Sequence, residues 1–168
     1  DLNLSAARPA FLSVRGLWFV TQMFSRLDMR DRFGTNVGNN VRSGLEVTSK
    51  EIAAAEVYRT QLWHQMRQFF SQYDHLLTPC VAVPPFAVEQ NYPDTIAGKP
   101  MQTYIDWIAP TFVLSLTGLP SASVPAGLDS GGMPVGLQIA GGQFGEEDVL
   151  SIAAQIQKLR PTALPRQP

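Results

Sequence analysis

The chain has 168 residues, of which 45% are apolar and 16% are charged, and its formal net charge is −1. This size supports one ordinary domain with its own core. The near-neutral charge lacks the basic footprint of a protein that binds nucleic acid, and no apolar run approaches the roughly 18 residues of a membrane span. The single cysteine, Cys80, excludes an internal disulfide framework and fits a reducing cytoplasm. Because the chain starts at Asp1 without Met, we expect it to begin inside a longer protein.

Two segments make up the first quarter of the chain. Apolar side chains from Phe11 to Leu27 recur at roughly helical spacing, which predicts a helix over residues 10–33. Gly16 weakens that helix by roughly 1 kcal/mol relative to alanine. The next segment, GTNVGNNVRSG, is rich in Gly and Asn and predicts a loop.

Thr48 and Glu51 have the capping-box spacing that begins a helix, and the helical period continues through KEIAAAEVYRTQLWHQMRQFFSQY. The aromatic cluster from Trp63 to Phe70, with His64, has two interpretations: a cofactor-binding box or ordinary core aromatics. Helical spacing favours the core. One face of the helix is apolar and should pack inward: Ile52, Ala55, Tyr58, Leu62, Met66, Phe69 and Tyr73.

The middle of the chain predicts a strand, a long loop and a short helix. Residues 86–103 contain recurring Pro, Gly, Asn and Asp and predict a loop. Pro110 interrupts residues 104–116, which predicts either a kinked helix or a loop that feeds a short helix. The strand is predicted from four apolar residues and ends at Pro84-Pro85: Leu76, Leu77, Val81 and Val83.

A serine beside paired glycines raises the question of a nucleophile in the stretch SLTGLPSASVPAGLDSGGMPVGLQIAGG. Residues 121–126 and 133–140 predict two strands, and Asp129 to Gly132 are typical hairpin-turn residues. Ser130 is therefore interpreted as a hairpin tip, because a nucleophile elbow needs a strand followed by a helix. A last helix is predicted over residues 146–159, with acidic residues at its start, and the tail PTALPRQP cannot continue it.

Residues that carry chemistry are few and scattered. His64 and His75 lie eleven positions apart without further ligand spacing, so no metal site is predicted. Cys80 has no nearby cation that would activate a thiol and is expected to be packed and inert. Asp106, beside Trp107, is the best single candidate for acid–base chemistry, and its alternative is a helix-cap or hydrogen-bonding aspartate. These residues alone predict a soluble α/β domain without a self-contained active site.

Three pieces of the sequence, DHLLTP, LTGLPSASVPAG and GMPVGLQIAGGQFGEEDVL, together resemble the C-terminal part of the amidase signature family. The resemblance covers roughly residues 48–159. It implies a fold of the α/β class. The chain would form the C-terminal part of an amidase-signature α/β/α fold, which has a mixed central sheet. Residues 1–168 are then the C-terminal portion of one amidase domain: 1–47 a helix and a Gly/Asn-rich loop, 48–160 the family-like core, and 161–168 a tail.

The same resemblance implies the chemistry of a Ser–cis-Ser–Lys triad, in which one serine forms an acyl-enzyme and a neutral lysine acts as base. The family's triad and Gly/Ser-rich segment lie upstream of the matched region, so no catalytic residue, metal or organic cofactor is expected in this chain. The segment before the GLP motif implies a substrate-pocket wall, with plain core packing as the alternative for each residue: Trp107, Ile108, Thr111, Phe112 and Ser115.

We therefore expect the C-terminal part of an amidase that hydrolyses a carboxylic amide, inactive as this chain alone. The expected partners are a small-molecule amide substrate and the N-terminal portion that carries the triad, with neither nucleic acid nor membrane, and a homodimer is left open. The expected location is the cytoplasm. Two alternatives remain: a part of a glutamyl-tRNA amidotransferase that resembles its A subunit, and a non-catalytic scaffold or binding module.

Overall fold

The computed structural model describes residues 2–162, which fall into two compact units, one ending at Gln65 and one beginning at Met66. Most of the predicted tail, residues 163–168, lies outside the described residues. The elements in chain order are α1 (Ala7–Gln22), a 3-10 helix (Phe24–Arg32), α2 (Thr35–Glu46), α3 (Ser49–Phe69), β1 (His75–Pro79), β2 (Thr95–Ile96), β3 (Lys99–Pro100), a 3-10 helix (Asp106–Ile108), α4 (Ala109–Ser115), β4 (Ser121–Leu128), β5 (Pro134–Gly141) and α5 (Glu146–Leu159).

The helix predicted over residues 10–33 is wrong in its second half. The α-helix ends at Gln22, where Met23 leaves the helical backbone region with φ −98° and ψ 7°, and a 3-10 helix follows. Within that 3-10 helix only Leu27 is partly buried, and its other residues are exposed. Because the segment buries almost no apolar surface, packing does not favour its continuation as part of α1.

The segment predicted as a loop, residues 34–44, is also corrected, since most of it belongs to α2. Gly16 and Gly44 lie where α1 and α2 cross, and a Cβ on Gly16 would come within 2.9 Å of Gly44 Cα. Val41 is fully buried. Two glycines thus let the helix backbones approach closely, and this packing overrides the weak helix propensity of Gly and Asn.

The capping box at the start of α3 is confirmed. The backbone N–H of Thr48 donates to Glu51 Oε2 at 2.8 Å, and the backbone N–H of Glu51 donates to Thr48 Oγ1 at 3.2 Å. Of the predicted apolar face, Tyr73 lies beyond the helix end and is exposed. Four members of the face are buried: Ala55, Tyr58, Leu62 and Met66.

Three antiparallel strands form the sheet of the second unit in the order β1-β5-β4. The predicted hairpin between β4 and β5 is confirmed, with Asp129 Oδ1 accepting from the N–H groups of Gly131 and Met133 at 2.8 and 2.9 Å. Ser130 is exposed at the tip. The bounds of α5 agree with the prediction, and its inner face packs on one side of the sheet around Val124, Ile139, Val149 and Ala153.

The strand predicted from Leu76 to Val83 is shorter than expected. It ends at Pro79, and Val81 and Val83 lie in the bends that follow. The reason is visible in the backbone: the Cys80 N–H still bonds to Gly136 O of β5, but the Ala82 N–H bonds to Trp107 O instead. The chain therefore leaves the sheet after Cys80.

The prediction of a loop that feeds a short helix is confirmed for residues 104–116. Pro110 lies in the first turn of α4, where a missing N–H costs no hydrogen bond. Gly118, which follows α4, has φ +68°, a conformation that glycine adopts without strain. This glycine lets the chain turn from α4 into β4. Among the helices of residues 2–162, none combines the length and apolarity required to cross a bilayer.

We expect Gly44→Ala to lower the free energy of unfolding by roughly 1–3 kcal/mol, because the added methyl group overlaps the Gly16 backbone and forces α1 and α2 apart. Urea denaturation of the chain measures the change. Gly38→Ala in α2 is the matched control, since the nearest atom to its Cβ is Phe33 Cβ at 3.9 Å. That control should be neutral or more stable by up to about 1 kcal/mol. Equal destabilisation by both substitutions would contradict the packing role.

The pKa of Glu51 lies below its ordinary value, because its carboxylate accepts hydrogen bonds first from the backbone N–H and then from the hydroxyl of Thr48. A carboxyl whose pKa is lower in the folded state than in the unfolded chain stabilises the fold at pH values above the unfolded-chain pKa of about 4.3. This stabilisation is lost as the pH falls through the folded-state pKa. We therefore expect Glu51→Ala to be less stable than the parent chain at neutral pH. That difference should shrink on acidification through this range.

The measurement is the denaturant midpoint of both chains across the acid range, together with an NMR titration of the Glu51 carboxyl. Glu51→Gln is the control, because it keeps a hydrogen-bond acceptor but removes the titrating group. A midpoint difference between Glu51→Ala and the parent that stays constant through the carboxyl titration would refute the assignment.

Candidate substrate pocket

A cavity of about 560 Å³ opens at the edge of the sheet where β1 ends and β5 begins. Three separate segments of the second unit form it: the bends after β1, the 3-10 turn before α4, and the first residues of β5. Its lining consists of apolar side chains and glycine: Pro79, Val81, Ala82, Val83, Pro84, Pro85, Phe86, Trp107, Pro134, Val135 and Gly136.

Hydrogen bonds hold the wall formed by the bends after β1. Thr111 Oγ1 donates to Cys80 O at 2.6 Å, and the Cys80 N–H donates to Gly136 O at 3.2 Å. The Ala82 N–H donates to Trp107 O at 3.1 Å. The loop is thus fixed both to β5 and to the segment that carries Trp107, so the cavity wall is formed before any ligand arrives.

Phe86 and Trp107 form an aromatic corner of the cavity. Their ring centroids lie 5.2 Å apart with the planes at 86°, the edge-to-face arrangement that aromatic quadrupoles favour. The indole Nε1 of Trp107 is buried and finds no hydrogen-bond partner in residues 2–162. A buried donor without an acceptor costs about 1–3 kcal/mol, and because this atom is fully buried a ligand in the cavity does not reach it.

Gln138 anchors α4 to the face of the sheet opposite α5. Its side chain is buried, and Nε2 donates to Thr78 Oγ1 at 3.0 Å and to Pro110 O at 3.1 Å. Because Pro110 lies in the first turn of α4, three residues after Trp107, this bond helps to fix the aromatic wall of the cavity. The alternation predicted for the strand placed Gln138 away from the apolar core, and the structure confirms that placement.

Of the residues predicted to line a substrate pocket, the structure places only Trp107 at this cavity. Thr111 holds the Cys80 carbonyl, Phe112 is buried, and Ser115 Oγ donates to Phe112 O at 2.8 Å. Ile108 is partly buried at the end of the 3-10 turn. A substrate role for these four residues stays a prediction, since a further wall of the site from outside this chain is expected.

The larger part of the lining, residues 81–86 and the start of β5, was not predicted from the sequence. The signal was present in VAVPPF, where a strand-like apolar run meets two prolines that cannot continue a sheet. Apolar residues that leave a strand without entering a helix need another apolar partner. Here they face the cavity.

The other candidate residues have structural roles. Asp106 Oδ2 accepts from the N–H groups of Gln102 and Thr103 at 2.8 Å each, which agrees with the hydrogen-bonding interpretation of this aspartate. Cys80 Sγ lies 3.0 Å from Ser123 Oγ. Within residues 2–162 no group of three or more His, Cys, Asp or Glu side chains is placed to hold a metal ion.

The sequence matches known proteins over most of its length. The family model described as Amidase matches residues 21–150. The chain is 30% identical over 142 residues to a fatty acid amide hydrolase of Medicago truncatula, an alignment that covers 79% of this chain and 22% of that protein. It is 39% identical over 99 residues to the A subunit of a glutamyl-tRNA(Gln) amidotransferase of Geotalea daltonii, covering 59% of this chain and 19% of that protein.

The structure also superposes on that of a bacterial aryl acylamidase belonging to the amidase signature enzymes, with a TM-score of 0.81 and 25% identity. The superposition covers 96% of this chain and 36% of the acylamidase. The α/β fold class predicted from the sequence is therefore confirmed. The chain spans only 22% and 19% of the length of the two curated relatives named above.

We expect Gln138→Leu to lower the free energy of unfolding by roughly 1–3 kcal/mol, because the hydroxyl of Thr78 and the carbonyl of Pro110 lose a buried donor. Gln157→Leu on the exposed side of α5 is the control and should change stability by less than about 0.5 kcal/mol. Urea denaturation measures both. If Gln138→Leu is as stable as the control, the anchoring role of Gln138 is wrong.

Proposed function

The chain belongs to the amidase signature family, and on this premise we propose that it is the C-terminal part of an amidase that hydrolyses a carboxylic amide through an acyl-serine intermediate. The Ser–cis-Ser–Lys triad is supplied from outside this chain. The enzyme needs no metal or organic cofactor and works in the cytoplasm.

The observation that carries this proposal is the placement of the lysines. A lysine that acts as a base must be desolvated or placed among other cations so that it loses its proton. The chain has three lysines, Lys50, Lys99 and Lys158, and all three are exposed, at a helix start, in a short hairpin and near a helix end. None of them supports a nucleophile–base pair within this chain.

The serines support the same conclusion. Ser115 Oγ bonds to a backbone carbonyl, Ser123 Oγ contacts Cys80 Sγ, and Ser130 lies on an exposed turn. A weak hydroxyl nucleophile requires a base within hydrogen-bond reach. The attacking hydroxyl and its base are therefore proposed to come from the portion of the enzyme that precedes this chain.

In the proposed reaction, the serine Oγ attacks the amide carbonyl carbon while its proton passes through the bridging serine to the neutral lysine. The C–N bond then breaks, the amine leaves with that proton, and water hydrolyses the serine ester to the free acid. Backbone N–H groups stabilise the oxyanion. The contribution of this chain is a rigid wall that orients the substrate against the nucleophile.

A part of a glutamyl-tRNA amidotransferase is the second candidate, because the 39% identity to the A subunit of such an enzyme favours it. Such an enzyme would bind glutamine, and an Arg/Asp pair is suited to hold the charged carboxylate and amino groups of that amino acid. The cavity described above is lined without any charged side chain. This lining favours the amidase over the amidotransferase.

We expect residues 1–168 alone to show no hydrolysis of aryl or alkyl amides, and a longer protein that includes them to turn such amides over. In the longer protein, Ser130→Ala should leave kcat/KM unchanged, because this serine is a turn residue. Release of the amine product measures the reaction. Turnover by the isolated chain that Ser130→Ala abolishes would overturn the proposal, and a longer protein without activity would favour a non-catalytic module.

A further inference from the structure

We propose that Cys80 is a positioning residue for the cavity wall formed by residues 81–86, and that Gly136 and Thr111 fix it in place. This inference rests on the proposed function, since it concerns the same cavity, but it assigns no substrate. All six residues that follow Cys80 line the cavity, and Cys80 itself does not. Cys80 therefore acts on a ligand only through the wall that begins at its own carbonyl group.

Cys80 marks the point at which the chain leaves the sheet. It follows Pro79, the last residue of β1, which pairs with Leu137, so Cys80 lies opposite Gly136 of β5. Its N–H donates to Gly136 O at 3.2 Å. Because the wall starts at this last attachment to the sheet, the position of Cys80 determines where the wall lies.

The thiol of Cys80 occupies the space that a side chain on Gly136 would need. A Cβ on Gly136 would lie 2.8 Å from Cys80 Sγ and 3.3 Å from Ser123 Oγ. Non-bonded carbon atoms are in favourable contact at about 3.5–4.0 Å, so any side chain at this position would displace Cys80. Gly136 does not have a positive φ. The site thus depends on the small size of this glycine and not on its backbone freedom.

Two further elements hold Cys80. Its Sγ lies 3.0 Å from Ser123 Oγ on β4, and its carbonyl oxygen accepts from Thr111 Oγ1 on α4 at 2.6 Å. The N–H, the thiol and the carbonyl of one residue are thus held from three separate elements. Movement of Cys80 therefore breaks at least one of these contacts and moves the wall with it.

The first test uses the chain alone and needs no substrate. It measures amide hydrogen exchange at Ala82, whose N–H joins the wall to Trp107 O at 3.1 Å. The reference amide is that of Asp129, which donates to Met133 O at 2.8 Å in the distant hairpin. Gly136→Ala should lower the protection of the Ala82 amide at least about tenfold and that of the reference less than about threefold, because local opening exposes only the groups it releases.

A rescue variant separates the positioning role from general damage to β5. In Cys80→Ala/Gly136→Ala the added methyl group takes the space that the sulfur leaves, so protection of the Ala82 amide should return to within about threefold of the parent chain. Gly142→Ala is the matched control, because its Cβ would meet Phe70 Cβ at an ordinary 3.7 Å. Equal loss at both amides, or a loss that the double substitution does not reverse, would refute the proposal.

Thr111→Val replaces Gly136→Ala if the latter does not fold, as judged from the dispersion of its NMR spectrum. Valine keeps the shape of threonine but removes the donor to Cys80 O, so the Ala82 amide should again lose protection at least about tenfold. Thr111→Ser keeps the hydroxyl and should restore that protection. An Ala82 amide that is equally protected in Thr111→Val and in the parent chain would contradict the positioning role.

Kinetics of a longer protein that hydrolyses an amide give the second test. A displaced wall weakens substrate binding without removing a catalytic group, so Gly136→Ala should raise KM at least about tenfold and change kcat less than about threefold. The double substitution should bring KM back. A fall in kcat at unchanged KM would refute the positioning role and leave the amidase in place. A longer protein without activity would refute the proposed function, and hydrogen exchange at Ala82 would then decide whether Cys80 holds the wall.

Discussion

The period-two alternation of β5 is the constraint on which the second unit depends. Leu137 and Ile139 point to the face that α5 covers, while Gly136 and Gln138 point to the face where α4 and the bends after β1 lie. One face thus provides the apolar core, and the other holds the cavity wall through hydrogen bonds. A slip of the register by one residue would exchange the two faces, placing an amide in the core and leaving α4 without its anchor.

Local signals explain which parts of the fold could be predicted. The capping box of Thr48 and Glu51, the Asp-Ser-Gly-Gly turn and the bounds of α5 all follow from side chains a few residues apart. The helix α2 could not be predicted in the same way. It depends on a close contact between Gly16 and Gly44, which are far apart in sequence. Judged only from its neighbours in sequence, a glycine indicates a loop.

The candidate site likewise combines residues that local sequence signals identify with residues that only distant contacts bring together. Trp107 was identified because it lies in the segment before the GLP motif, whereas the opposing walls lie more than twenty residues away on either side in sequence. Their meeting depends on the order β1-β5-β4, which places the start of β5 beside the end of β1 although β4 precedes it in sequence. The composition of VAVPPF indicates an apolar segment, but only the strand order shows what it faces.

The strand order has one more consequence, for the behaviour of the chain in isolation. Within residues 2–162, β1 and β4 are the outer strands, and each is paired along one side only. Along β4 the outer edge is interrupted by Pro125 and by the irregularity before Gly127, and such features hinder the pairing of a further strand. In β1 the run HLLT has no such interruption, and Leu77 is 51% exposed. Edge-to-edge pairing between separate molecules would therefore begin at β1, and a strand that another polypeptide adds at this edge would prevent it.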